Sequence, residues 1–217
     1  MSHIIYGIEP IMTVIAQCLE ETLLLQQGQY PIHYAANAEE VPSTGKQVHA
    51  MWLCAKNFGS PFLVYSGAND ADKLYLSPQV NLLYRAVHDH DHAFAYELGR
   101  GTTKYEDERY LNCLMAKRCY EFALANNDIV LAMQVFFIMY HDTVGQVEYF
   151  KEKGTFCEDQ RAETTRRLDE CAGYRALKQG RTRIAKAYML GYMGNVDYER
   201  RTYNWFILLN VCGVICI

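Results

Sequence analysis

The sequence predicts an all-α fold of about seven helices in one domain over 1–217, and three observations predict it. Apolar residues recur at helical spacing along nearly the whole chain. Residues that start and stop helices recur between those runs. Only 29–33 and 61–66 look extended, and neither shows sustained alternation of apolar and polar residues.

Each element follows from its own punctuation. A first helix covers about 10–27, with Pro10 at the first helical position and Gly28 as a left-handed cap. Ser43 or Thr44 caps a second, which runs through Val48, Trp52 and Leu53 to Phe58 before Gly59. Ser77-Pro78 reads as cap and first helical residue of a long third helix, reaching about Leu98 and closed by Gly99. Thr103 and Glu106 form a capping box for a fourth, which ends near Ala125 where Asn126-Asn127 breaks it. A fifth spans about 128–153, before Gly154. Gly145 inside it costs helix stability relative to Ala and so marks close helix packing or approach of a ligand. A sixth begins near Glu158 and ends before Gly180, and one or two more follow from Thr182.

Composition narrows the class. The chain has 217 residues, 50% hydrophobic and 13% aromatic, enough for a core without disulfide or metal staples. A net charge of −4 creates no global field toward nucleic acid or an anionic membrane. The eight cysteines are scattered with no CxxC pair, and Cys54 lies in the apolar run Met51-Trp52-Leu53-Cys54, where a thiol behaves as a small hydrophobe. Reduced thiols and a cytoplasmic location are therefore expected. The N-terminus lacks a basic region and contains Glu9-Pro10, so it does not read as a signal peptide. The apolar stretch 205–217 is shorter than the roughly 20 residues that span a bilayer, and is expected to be a core element, with no membrane contact.

The chemical signal is His88-Asp89-His90-Asp91-His92 on the third helix. His88 and His92, four residues apart, leave one face, and Asp89 lies about 100° round from His88. Arg85 and Tyr96 extend the polar stripe; Leu83, Val87, Phe94 and Leu98 form the apolar side. Two imidazoles at that spacing beside a carboxylate make a fragment of a site for a divalent Zn, Mn or Fe ion. The plain alternative is a solvated helix face, for which His90 and Asp91 are the best candidates. His49 on the second helix and His141-Asp142 on the fifth supply further ligands if those helices converge.

The order His49, His88-Asp89, Asp142 resembles the H…HD…D arrangement of HD-domain metal-dependent phosphohydrolases, and Val48-His49-Ala50-Met51-Trp52-Leu53-Cys54-Ala55 is similar to that family's first motif helix. The resemblance covers about 45–145. It implies an HD-domain-like all-α fold, with His49, His88, Asp89 and Asp142 as metal ligands and a nucleotide or related phosphoester as substrate. The sequence departs from the pattern where His90 and Asp91 follow Asp89. Arg85-Ala86-Val87-His88-Asp89-His90-Asp91-His92-Ala93 also resembles the RAVHDxxHA segment of tailed-bacteriophage proteins, in which acidic residues follow as Glu106, Asp107 and Glu108 do here; this implies a phage origin. A weaker likeness, of His88-Asp89-xx-His92 to the HExxH helix of zinc peptidases, lacks a third ligand at a diagnostic distance.

Two functions follow as expectations. In a metal-dependent phosphohydrolase, His88, Asp89, His92 and partners hold the ion, Asp91 or His92 takes or relays a proton, and Arg85 grips a phosphate oxygen. Gly99-Arg100-Gly101-Thr102-Thr103-Lys104 offers glycines and cations to an anion, or is simply a cap followed by a capping box. In a non-catalytic binding protein, Arg175, Lys178, Arg181, Arg183 and Lys186, with Tyr174 and Tyr188 at the ends, engage nucleic acid or a host protein.

Overall fold

The computed structural model describes residues 5–28, 30–100 and 104–197, with side chains through 194. The order is α1 (Ile8–Gln27), β1 (Ile32–Ala35), a 3-10 turn (Ala38–Glu40), α2 (Gly45–Phe58), β2 (Phe62–Tyr65), α3 (Pro78–Glu97), α4 (Tyr105–Asn126), α5 (Ile129–Met139), a π-helical turn (Tyr140–Val144), α6 (Gly145–Lys153), α7 (Gln160–Glu170), α8 (Ala172–Lys178) and α9 (Thr182–Asp197). The class is mainly α, as predicted.

The organising element is α5. Asp128 caps it, its carboxylate accepting from the backbone N–H groups of Val130 and Leu131. From Leu131 to Met139 every residue is buried. A helix apolar all round belongs inside a bundle, and α4, α1, α8 and α9 pack around it. A phenylalanine pair at its centre, Phe136 and Phe137, is wholly enclosed.

The two extended stretches do pair. β1 and β2 are parallel, with Ile32 opposite Phe62 and Ala35 opposite Tyr65, and α2 is the crossover. Four residues each is too short for alternation to register in sequence. Phe62 and Val64 turn inward, and the Phe62 ring stacks on His90 of α3 at 4.1 Å. This pair and α2 cover one side of α3; α1 and α4 cover others.

Three boundaries differ from expectation. The fourth helix starts at Tyr105, after an extended Lys104 with no side-chain cap; Thr103, with Gly101 and Thr102, lies outside the described residues, as does 205–217. The fifth helix contains one π turn, where the Gly145 N–H reaches back five residues to the Tyr140 carbonyl. The expected sixth helix breaks at Cys171, whose extended backbone and thiol cap α8 through the Tyr174 N–H. Packing is tight just beyond the break, inside α8. A Cβ on Gly173 would meet Phe137 Cζ at 2.8 Å and Tyr188 Cβ at 2.6 Å. Among the described residues no helix is long and apolar enough to cross a membrane.

Candidate metal centre

Ser77 opens α3, its hydroxyl accepting from the Val80 N–H, with Pro78 at the first helical position. One face of the helix then carries Tyr84, His88, His92 and Tyr96 at four-residue intervals. Across from it, Glu108 sits in the first turn of α4, where the helix dipole favours a carboxylate.

Three potential ligand atoms converge between these helices. His88 Nε2 and His92 Nε2 are 3.0 Å apart, and each lies 3.3 Å from a carboxylate oxygen of Glu108. His88, His92 and Glu108 are also the one group of three ligand-type residues within 4.8 Å of one another among the described residues. Ligands about 2.0–2.1 Å from a single ion stand roughly 2.9 Å apart at octahedral angles and roughly 3.3 Å at tetrahedral ones. The observed separations fall in that interval. Neutral imidazoles have one N–H each, so two Nε2 atoms aimed at one point and a shared carboxylate suit a cation better than they suit one another.

Burial works to raise the Glu108 carboxyl, but hydrogen bonds and charge from His88 and His92 outweigh it and bring it down to about 2. Asp89, partly buried beside the triad, is pushed up to about 7 by burial, with Glu108 adding and His92 and Arg85 opposing. The Tyr84 ring stacks on His88, centroids 5.4 Å apart and 19° from parallel, and its hydroxyl donates to Asn112 Oδ1. His88 Nδ1 is buried without a hydrogen-bond partner.

Other predicted site residues are elsewhere or already engaged. His49, on α2, meets α3 one turn beyond His92: it is hydrogen-bonded through Nε2 to Glu97 and packed against Trp52 and Tyr96. Asp91 points away into the core, where Arg118 clamps it through two bonds of 3.0 and 3.1 Å and Gln26 adds a third at 2.8 Å. Its neighbour His90 donates from Nδ1 to the Ala86 carbonyl and accepts from the Tyr30 hydroxyl. Both residues were candidates for a solvated face; they are instead a buried polar layer.

Arg85 is also engaged. Its Nη1 donates to the carbonyls of Tyr65 and Gly67 at 3.0 and 2.6 Å, and Nη2 to that of Ala68 at 3.3 Å. The guanidinium therefore stitches the segment after β2 onto α3 and is not aimed at a phosphate. Asp142 lies in the π turn, accepting from Thr164 of α7 at 2.8 Å, with its carboxyl raised to about 7 by burial. It is not part of the triad. Burial and the Arg167 charge take neighbouring His141 down to about 4. Gly145 makes a close approach, but to Arg167 of α7, whose Cδ would lie 2.9 Å from an added Cβ.

The basic run divides in two. Arg175 caps carbonyls of Asp169 and Glu170, and Lys178 pairs with Asp169 at 3.1 Å. Arg183, Lys186 and Tyr188 are exposed on α9; Arg181, just before it, is also exposed and bonds the Gln179 side chain.

Of the three candidate ligands, Glu108 is the one that periodicity on the third helix did not supply. The signal available was the acidic trio Glu106, Asp107 and Glu108, and only the packing of α4 on α3 selects among them. Comparison with family models, curated proteins and solved structures finds no match for this chain.

Proposed function

We propose that this protein is a divalent-metal-dependent hydrolase in which His88, His92 and Glu108 are the protein ligands and a phosphoester is the substrate. The observation that carries the reading is the convergence of two imidazole nitrogens and a carboxylate, 3.0–3.3 Å apart, from two helices. Three protein ligands leave a position open to water or substrate, as catalytic zinc sites do; structural sites are closed by four. Two histidines and one carboxylate suit zinc or ferrous iron, and manganese is compatible. A bound ion supplies acidified water and polarises a phosphoryl oxygen.

The chain's own contribution is positional. The α3 stripe fixes both imidazoles at a one-turn spacing, and α4 brings the counter-charge. Asp89 directly follows His88 on α3 and feels the charges of His92 and Glu108. Support for a phosphoester comes only from the sequence likeness at His88-Asp89, since His49 and Asp142 of that pattern stand outside the triad. Arg85 and Asp91 are not assigned catalytic roles, and His49 and Asp142 are not assigned as ligands, because each is committed to other partners.

The test measures bound metal and phosphoester hydrolysis on the full chain. Reconstitution with Zn²⁺, Mn²⁺ or Fe²⁺ should give one ion per chain, and that protein should hydrolyse p-nitrophenyl phosphate or a nucleotide panel. Glu108→Gln should lose both while remaining folded. Sub-stoichiometric metal in the parent, or equal hydrolysis in metal-free protein, overturns the proposal. A second reading, a phage-encoded binding protein, has support in the exposed Arg183, Lys186 and Tyr188 on α9. Salt-dependent nucleic-acid binding that is lost on neutralising Arg183 and Lys186, and is indifferent to Glu108→Gln, would favour it.

A further inference from the structure

A metal-binding imidazole is normally oriented from behind, its second ring nitrogen donating to a carboxylate, a carbonyl or water. His92 and Glu108 reach His88 from the front, yet His88 Nδ1 has no partner. Some other contact must hold the ring. The best placed is Tyr84, one turn earlier on α3, whose ring lies against His88 at 5.4 Å and nearly parallel.

Tyr84 is itself held from α4. Asn112 Nδ2 donates to the Glu108 backbone carbonyl at 2.9 Å. A carbonyl can only accept, so this bond fixes which way the amide faces and leaves Oδ1 to receive the Tyr84 hydroxyl. The geometry is in register. Tyr84 precedes His88 by four residues and Asn112 follows Glu108 by four, so the bridge joins the two helices one turn from the ligands on each. The backbones of α3 and α4 contact each other sparsely compared with α4 on α5, which leaves side chains to set the distance across the site.

Resting on the metal reading above, we infer that Tyr84 and Asn112 are positioning residues for the metal centre: a latch that orients the His88 imidazole and sets Glu108 at ligand distance from it. They touch neither ion nor substrate. Their effect passes through His88 and Glu108.

The experiment titrates the full-length apoprotein with Co²⁺ and Zn²⁺, reading affinity and the Co²⁺ visible spectrum. Tyr84→Phe keeps the stacked ring and removes the hydroxyl. It should weaken binding about 10- to 100-fold, as outer-shell changes do, and shift the Co²⁺ bands. Tyr84→Phe combined with Asn112→Leu removes both polar partners; its affinity loss should not exceed that of the single change by more than about twofold, since one latch is broken in both. Tyr30→Phe is the control for fold: it removes a buried phenol on the opposite side of α3, at His90, and should leave Co²⁺ affinity and spectrum unchanged. Parent-like affinity and spectrum in Tyr84→Phe refute the latch while the metal reading stands. Equal losses in Tyr30→Phe also refute it, since the effect is then general loosening. Absence of stoichiometric Co²⁺ binding by the parent removes the metal reading and the latch together.

Discussion

Asp91 gives the sharpest test of the difference between a site residue and a core residue. Its side chain is 4% exposed and that of its partner Arg118 14%, and the carboxylate receives three hydrogen bonds. Asp91→Ala leaves a guanidinium in the core without its counter-charge, and removing one member of such a pair costs about 3–5 kcal/mol. At about 1.4 kcal/mol per tenfold, a loss near 4 kcal/mol raises the unfolded fraction roughly a thousandfold, a large part of the ~5–15 kcal/mol a domain has. Urea unfolding followed by circular dichroism measures it. Replacing both partners by apolar groups, Asp91→Leu with Arg118→Met, should return stability to within about 1–2 kcal/mol of the parent, because neither charge is then buried. Zn²⁺ affinity should be unaffected in the double variant. An Asp91→Ala variant that unfolds at the parent's midpoint would refute the buried pair, and stable Asp91 variants that lose hydrolysis would return Asp91 to the chemistry.

Three shorter predictions concern other parts of the fold. Asp142, raised from 3.8 to about 7 in the folded chain, keeps a proton that the unfolded chain releases. Stability on its account therefore falls as pH rises from about 4 to about 7 and stays low above that, by at most about 4 kcal/mol. Asp142→Asn, retaining an acceptor for Thr164, should gain on the parent progressively across that window in pH-dependent unfolding; parallel curves would refute it. Gly173→Ala, whose Cβ would meet the Phe137 ring and Tyr188 inside 3 Å, should destabilise by about 1–3 kcal/mol in urea unfolding, and a neutral result would count against the α5–α8 packing. A saturating ion present at a hundred times its dissociation constant adds about 2.7 kcal/mol, so EDTA should lower the melting temperature of the parent and leave Glu108→Gln unmoved.

Local order was legible because its causes are local. Ser77-Pro78, Asp128 and the glycines at 28, 59 and 154 mark helix ends through their own side chains or backbone freedom, and apolar residues at helical spacing mark the faces between. The same periodicity put His88 and His92 on one face, so two of the three converging candidate ligands were readable. What the sequence could not decide depended on which surfaces meet. Asp91 follows Asp89 by two residues and looks equivalent to it in a string of alternating His and Asp, but two residues turn a helix by about 200°, and only the packing of α1 and α4 makes one side the core and the other the site. The break at Cys171 divides a run whose own residues read as one helix, and the close seat of Gly173 against Phe137 appears only in the packing. Glu108 became a candidate ligand, and His49 did not, through the approach of one helix to another, which depends on burial and register summed over the whole chain. Sequence spacing determined the faces; tertiary packing determined which of them share a site.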